Sequence, residues 1–175
     1  MTATNATSPS TIATDSSYGS IDWVNPDNVK VSDDTYATIN LEEVEESYYI
    51  KATNFGFSIP NGNRIDGIKV EIELYANSNQ IVDRRSRIIK GGSISSTDVF
   101  RDPNTFWPEV EVYLTYGGES ELWGQTLSVN DVNSSDFGFA FAIESFNNGR
   151  IGYIDHNRMT VYYSPINSPL PTFYQ

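Results

Sequence analysis

The chain has 175 residues, enough for one well-buried core, whereas two separate cores with linkers would each be marginal. Its 11 basic residues stand against 23 acidic ones, a formal charge of −12 that repels phosphate backbones and anionic lipid surfaces, so neither nucleic acid nor membrane is an expected partner. Cysteine is absent, which excludes disulfide staples, thiolate chemistry and cysteine-based zinc sites.

Residues 1–20, MTATNATSPSTIATDSSYGS, carry one charge, Asp15, and lack the basic and apolar regions of a secretory signal, so a soluble chain that is not cleaved is expected. Residues 1–22 read as an extended N-terminal arm, too polar to fold alone and expected to be held by a neighbouring subunit. Strands are predicted at 35–39 and 48–58. Between them, Glu42, Glu43, Glu45 and Glu46 in LEEVEESYY form an acidic run in which Leu41 and Val44 lie three apart, the pattern of a solvated helical turn capped by Asn40. A calcium-loop spacing is missing there, and no metal is assigned.

In IDGIKVEIELYA, Ile68, Val70, Ile72 and Leu74 alternate with Lys69, Glu71, Glu73 and Tyr75, the period-two signature of a strand with one buried and one wet face. A strand at 81–90 carries the basic cluster Arg84, Arg85, Arg87 and Lys90. This cluster can meet the Glu42–Glu46 run, within one subunit or across an interface, or serve as edge protection. EVEVYLTY repeats the alternation, Val110, Val112, Leu114 and Tyr116 opposing Glu109, Glu111, Tyr113 and Thr115. After Gly117-Gly118, Leu122 and Trp123 supply apolar bulk, and Ser128 with Asp131 matches a capping box for one helical turn.

The strand at 137–144 turns Phe137, Phe139, Phe141 and Ile143 into a core. Its other face, Gly138, Ala140 and Ala142, is small enough to let another sheet approach. A last strand at 151–163 precedes Pro165, Pro169 and Pro171, which mark residues 165–175 as a C-terminal arm. Many such strands without a long helical pattern predict an all-β fold. The expected architecture is an antiparallel two-sheet β-sandwich, jelly-roll-like, at 23–164, with extended N- and C-terminal arms.

Site chemistry is sparse. His156 follows Asp155, but no nucleophile elbow accompanies the pair, and a surface or edge-strand histidine is expected; no catalytic residue, metal or cofactor is assigned. Asn5 and Asn133 head glycosylation triplets that matter only in a secreted eukaryotic protein. Aromatic residues are the remaining signal: Trp107, Tyr113 and Trp123 form a candidate exposed platform on which sugar rings could stack. Arg84, Arg85, Arg87, Lys90, Glu42, Glu43, Glu45, Glu46, Gly138, Ala140 and Ala142 are the candidate interface.

The segments YYIKATNFGFSIPNGNRIDGIKVEIE, FWPEVEVYLTYGGESELWGQTLSVNDVNSSDFGFAFAI and DHNRMTVYYSP, in that order, resemble a β-sandwich domain of tailed-bacteriophage structural proteins, also seen in some bacterial surface proteins. The resemblance implies a non-enzymatic virion component with no catalytic residues to carry over. The leading expectation is thus a capsid decoration or cement protein, located in the virion, contacting other virion subunits and forming homo-oligomers. The alternative is a glycan-binding module of a tail fibre or cell surface, recognisable by clustered rings with adjacent Asp or Asn. A third reading, a polysaccharide-degrading enzyme, needs two carboxylates facing one another in a cleft.

Overall fold

Branched and aromatic side chains on alternate positions are buried together only when the backbone is extended and paired, which makes strands of the period-two stretches. The computed structural model describes residues 1–100 and 105–166. Among the described residues ten strands follow one another: β1 (Thr2–Ala3), β2 (Thr11–Asp15), β3 (Ala37–Leu41), β4 (Tyr49–Thr53), β5 (Asn63–Ala76), β6 (Ile81–Lys90), β7 (Ser93–Ile94), β8 (Val112–Gly118), β9 (Gly138–Ser145) and β10 (Arg150–Pro165). A 3₁₀ turn at Pro26–Val29 precedes β3, and a helix α1 (Val129–Asn133) precedes β9.

All ladders between these strands are antiparallel and build two five-stranded sheets. One runs β1-β10-β5-β8, with β3 also paired to β10; the other runs β2-β4-β9-β6-β7. With β1 and β2 set aside, the orders β3-β10-β5-β8 and β4-β9-β6-β7 are those of a jelly roll, as the sequence pattern predicted. Among the described residues no helix is long and apolar enough to cross a membrane.

The core lies between the sheets. Phe139 and Phe141 of β9 stack at 6.0 Å, Tyr116 of β8 meets Phe141 edge-on at 5.5 Å, and Trp123 meets Phe139 at 5.6 Å. The capping box forms: Ser128 Oγ accepts from the Asp131 amide at 3.1 Å while Asp131 Oδ2 accepts from the Ser128 amide at 2.8 Å. Just before it, Trp123 takes a left-handed backbone, φ 58°, which swings its ring inward so that its indole N–H donates to the Ile68 carbonyl at 3.0 Å. Gly117 leaves the space that this ring occupies.

Four expectations change. Residues 1–22 are not an arm awaiting another subunit: β1 pairs with β10 and β2 with β4, so polar residues that bury little apolar surface are held by main-chain ladders of their own chain. The Glu42–Glu46 run is not a helical turn, because Val44 sits at φ 63° and Glu46 bridges to Glu144. The strand expected at 48–58 stops at Thr53, where Asn54 at φ 57° leaves the extended region. The 165–175 arm begins inside β10, and its residues 167–175 lie outside the described residues.

Candidate functional site

The outer face of the β10-β5-β8 sheet brings together side chains that are remote in sequence. Register places Tyr153 of β10 directly across from Tyr75 of β5, and their rings stack at 4.4 Å with 4° between planes. Tyr36, just before β3, sets its ring edge-on to both, at 5.4 Å from Tyr75 and 5.8 Å from Tyr153. All three rings are half-buried. The Tyr36 hydroxyl donates a long hydrogen bond, 3.4 Å, to Glu111 Oε2, which joins the ring cluster to a group of carboxylates.

That group is Asp34, Glu111 and Asp155, each offering one carboxylate oxygen within 4.8 Å of the others. A bulge in β10 between Ile154 and His156 frees Asp155 from the ladder and re-aims it. Its side chain, in a residue only 1 % exposed, accepts from the amides of Asp33 at 3.1 Å and Asp34 at 3.3 Å. Burial, and then the charges of Asp155, Glu73 and Asp34, push the Glu111 carboxyl above its ordinary range. Burial and the neighbouring Glu111 charge push Tyr36 up to about 12, so its ring stays neutral and its hydroxyl remains a donor. Three oxygens are fewer than the six to eight that a calcium ion takes, so the group by itself is an incomplete cation cage.

Tyr113, predicted to point outward, does so on the same face. The Arg158 guanidinium lies 4.0 Å above its ring, and its hydroxyl meets His156 Nδ1 at 2.9 Å. His156 bonds Ser8 Oγ through its other nitrogen at 2.8 Å, and burial holds its pKa below the ordinary value. It is a satisfied structural histidine and not the surface or edge-strand residue expected, because it is buried on β10 with Glu73 of β5 paired on one side and Lys30 bridged on the other.

The other two members of the expected platform are corrected: Trp107 and Trp123 are both 0 % exposed. Trp107 stacks on Phe141 at 6.1 Å and donates to Asp83 Oδ1 at 2.8 Å, because a ring this large at the end of a sandwich is worth more inside than out.

The expected interface residues scatter over the second sheet. Arg84 pairs with Glu46 at 2.9 Å and Glu144 at 3.3 Å, so one contact between the basic and acidic runs forms within the chain. Arg87 holds Asp98 with two bonds of 2.8 and 2.7 Å, Arg85 reaches the same carboxylate at 3.5 Å, and Lys90 reaches Asp131 at 3.3 Å. Glu42 and Glu43 are exposed, and their amides donate to Glu45 Oε2 and Asn148 Oδ1. Glu45 thus caps its own turn instead of meeting a cation.

The small face of β9 is not open to a second sheet. A Cβ on Gly138 would overlap the Ala52 carbonyl of β4, and Ala140 and Ala142, both 0 % exposed, pack with Tyr49 and Ile89 of the neighbouring strands and with Tyr18. Sequence reasoning found Tyr75 on an outward face but missed Tyr36, Tyr153 and the carboxylate group. The alternation marks each ring's face and not its partner across the ladder.

No family model matches the chain, and no curated protein sequence matches it. Among solved structures, one described as a crystal structure with a xylogluco-oligosaccharide aligns over 89 % of this chain and 38 % of its own, at 14 % identity and a TM-score of 0.43. This chain thus spans well under half of that protein. A family 61 carbohydrate-binding module in complex with β-1,4-galactotriose aligns over 89 % of this chain and 87 % of its own, at 12 % identity and a TM-score of 0.36. The N-terminal cellulose-binding domain of a Cellulomonas fimi β-1,4-glucanase aligns over 77 % of this chain and 80 % of its own, at 6 % identity and a TM-score of 0.32. These superpositions are loose. They carry nothing for the phage resemblance, and what this chain binds has to be argued from its own side chains.

Proposed function

We propose that the chain is a non-catalytic glycan-binding module that holds neutral saccharides on the outer face of the β10-β5-β8 sheet. The observation that carries this reading is the Tyr36, Tyr75 and Tyr153 cluster beside Glu111 and Asp34. Aromatic rings fixed by one another offer an apolar surface to the C–H face of a pyranose at little entropic cost. Adjacent carboxylates accept from sugar hydroxyls with bonds roughly twice as strong as neutral ones. The negative charge of the carboxylates and of the whole chain selects against acidic glycans.

Hydrolysis gains no support from the same group. Glu111 and Asp155 do face one another, yet Asp155 is buried and occupied by two backbone amides, so a sugar cannot reach it as a nucleophile would require. Capsid decoration through an N-terminal arm loses its attachment device, since that segment is already paired to both sheets. A tail fibre or a cell surface is the setting that accompanies the glycan reading.

Titration of the chain with neutral β-linked oligosaccharides by calorimetry tests this. Tyr153→Ala, which removes a half-buried ring and its two ring contacts, is expected to weaken binding about tenfold while lowering the unfolding free energy by about 1–3 kcal/mol, so that the variant stays folded. Binding that is equal in the parent and in Tyr153→Ala and Tyr36→Ala, or absent for every neutral glycan, would overturn the proposal.

A further inference from the structure

The outer face of the opposite sheet, β2-β4-β9-β6-β7, carries a cavity of about 360 Å³. That volume lies within the range of small-ligand sites, and the lining sets several polar groups beside a somewhat larger apolar surface, as such sites do. Lys51 and Thr53 of β4, Asn54 at its left-handed end, and Ser135 and Asp136 from the turn after α1 supply the polar groups. Ala13 of β2 and Ile89 of β6 supply the apolar part. The set mixes hydroxyls, an amide, an ammonium and a carboxylate, which is the complement of a molecule bearing several hydroxyls around a carbon ring.

Charge narrows the class. The Lys51 ammonium is already partnered by Asp15 at 3.3 Å, whereas Asp136 is exposed and meets no cation within ion-pair distance among the described residues. A carboxylated or phosphorylated ligand meets repulsion there, in a chain that is acidic overall. A cationic ligand would find a single carboxylate, Asp136, in a lining that also holds an ammonium, too little to offset its desolvation. A neutral ring meets neither cost, can accept from the Asn54 amide, and can donate hydroxyls to Asp136 and Thr53.

We infer that this cavity is a second saccharide site, separate from the tyrosine face, that takes a neutral pyranose ring. The choice of a saccharide over another polyol rests on the glycan reading given above; the neutrality and the location rest on the cavity alone.

The test is an amide chemical-shift titration of the full, ¹⁵N-labelled chain with cellobiose, lactose and maltose, with glucuronate as the anionic control. The expected result is saturable movement of the Asn54, Gly92 and Ser135 amides with at least one disaccharide and none with glucuronate. Asp136→Ala should weaken that movement about tenfold, since an exposed charged acceptor is lost without disturbing the fold, and Tyr153→Ala should leave it unchanged. Still amides at this cavity with all three disaccharides would overturn the inference, as would an apparent Kd unaffected by both Asp136→Ala and Thr53→Val. Glucuronate binding as tightly as the neutral sugars would overturn it too. Movement around Tyr75 and Tyr153 without movement here removes this site and keeps the tyrosine face; the converse pattern removes the tyrosine face and keeps this site.

Discussion

Replacing Trp107 by alanine distinguishes an interior ring from a surface platform more sharply than any other single change in this chain. The ring is fully buried, stacks on Phe141 at 6.1 Å and donates to Asp83, itself 1 % exposed, at 2.8 Å. Truncating a buried Trp to Ala costs about 3–5 kcal/mol through lost transfer energy and the cavity left behind. Taking one donor away from a buried carboxylate costs about 1–3 kcal/mol more, although the Tyr116 hydroxyl still bonds Asp83 at 3.1 Å. The total, about 4–8 kcal/mol, is a large share of the roughly 5–15 kcal/mol that a domain has. Trp107→Phe keeps much of the stacked area and loses the N–H, so about 1–3 kcal/mol is expected. Urea unfolding followed by circular dichroism reads both: the Ala midpoint should fall by at least about 1.5 M, with Phe in between. If Trp107→Ala unfolds within about 1 kcal/mol of the parent, as an exposed ring would allow, the burial argument is wrong and the ring returns to the list of ligand-stacking candidates.

Two further outcomes follow from close approach and from crowded charge. Gly138→Ala should cost about 2–3 kcal/mol, because its Cβ overlaps the Ala52 carbonyl and β4 has to move, whereas Gly149→Ala, in open space at φ 65°, should cost only the left-handed strain of about 1–2 kcal/mol. A Gly138→Ala variant as stable as the parent in the same urea series would show that β4 yields freely. Glu111 has a folded-state pKa above its ordinary 4.5, so the folded state holds this proton more tightly than the unfolded one, and stability is lost as pH rises from the ordinary value through the folded one. Glu111→Gln should therefore melt above the parent near pH ~7 and converge with it below pH ~4; thermal scans that coincide at both ends of that range would mean that neither burial nor the Asp155, Glu73 and Asp34 charges disfavour this carboxylate.

The strands that alternate cleanly were legible in the sequence, and those that depend on partners were not. Ile68 to Leu74 and Phe137 to Ile143 announce which face goes inward because each strand carries its own pattern. The Ser128 and Asp131 box was legible for the same reason, being local. The N-terminal strands were hidden, since Thr11 to Asp15 is ordinary polar sequence until β4 lies beside it, and main-chain pairing leaves no side-chain signature. Trp107 and Trp123 misled because a large ring at a strand end reads the same whether it folds inward or outward. Only the left-handed backbone at Trp123 and the buried Asp83 next to Trp107 decide, and neither has a local pattern. The tyrosine cluster depends on the register of Tyr153 against Tyr75 and on a loop that brings Tyr36 across, both set by pairings more than seventy residues apart in the chain.

Strand β10 receives β1, β3 and β5 along its two edges, so strands early in this sequence are completed by one made much later. On a ribosome the earlier strands emerge with their hydrogen-bonding edges bare and must wait until Arg150 to Pro165 has cleared the exit tunnel. The sheet that contains β10 is thus completed late, and until then the edges of β1, β3 and β5 that face it are open to pairing with other chains.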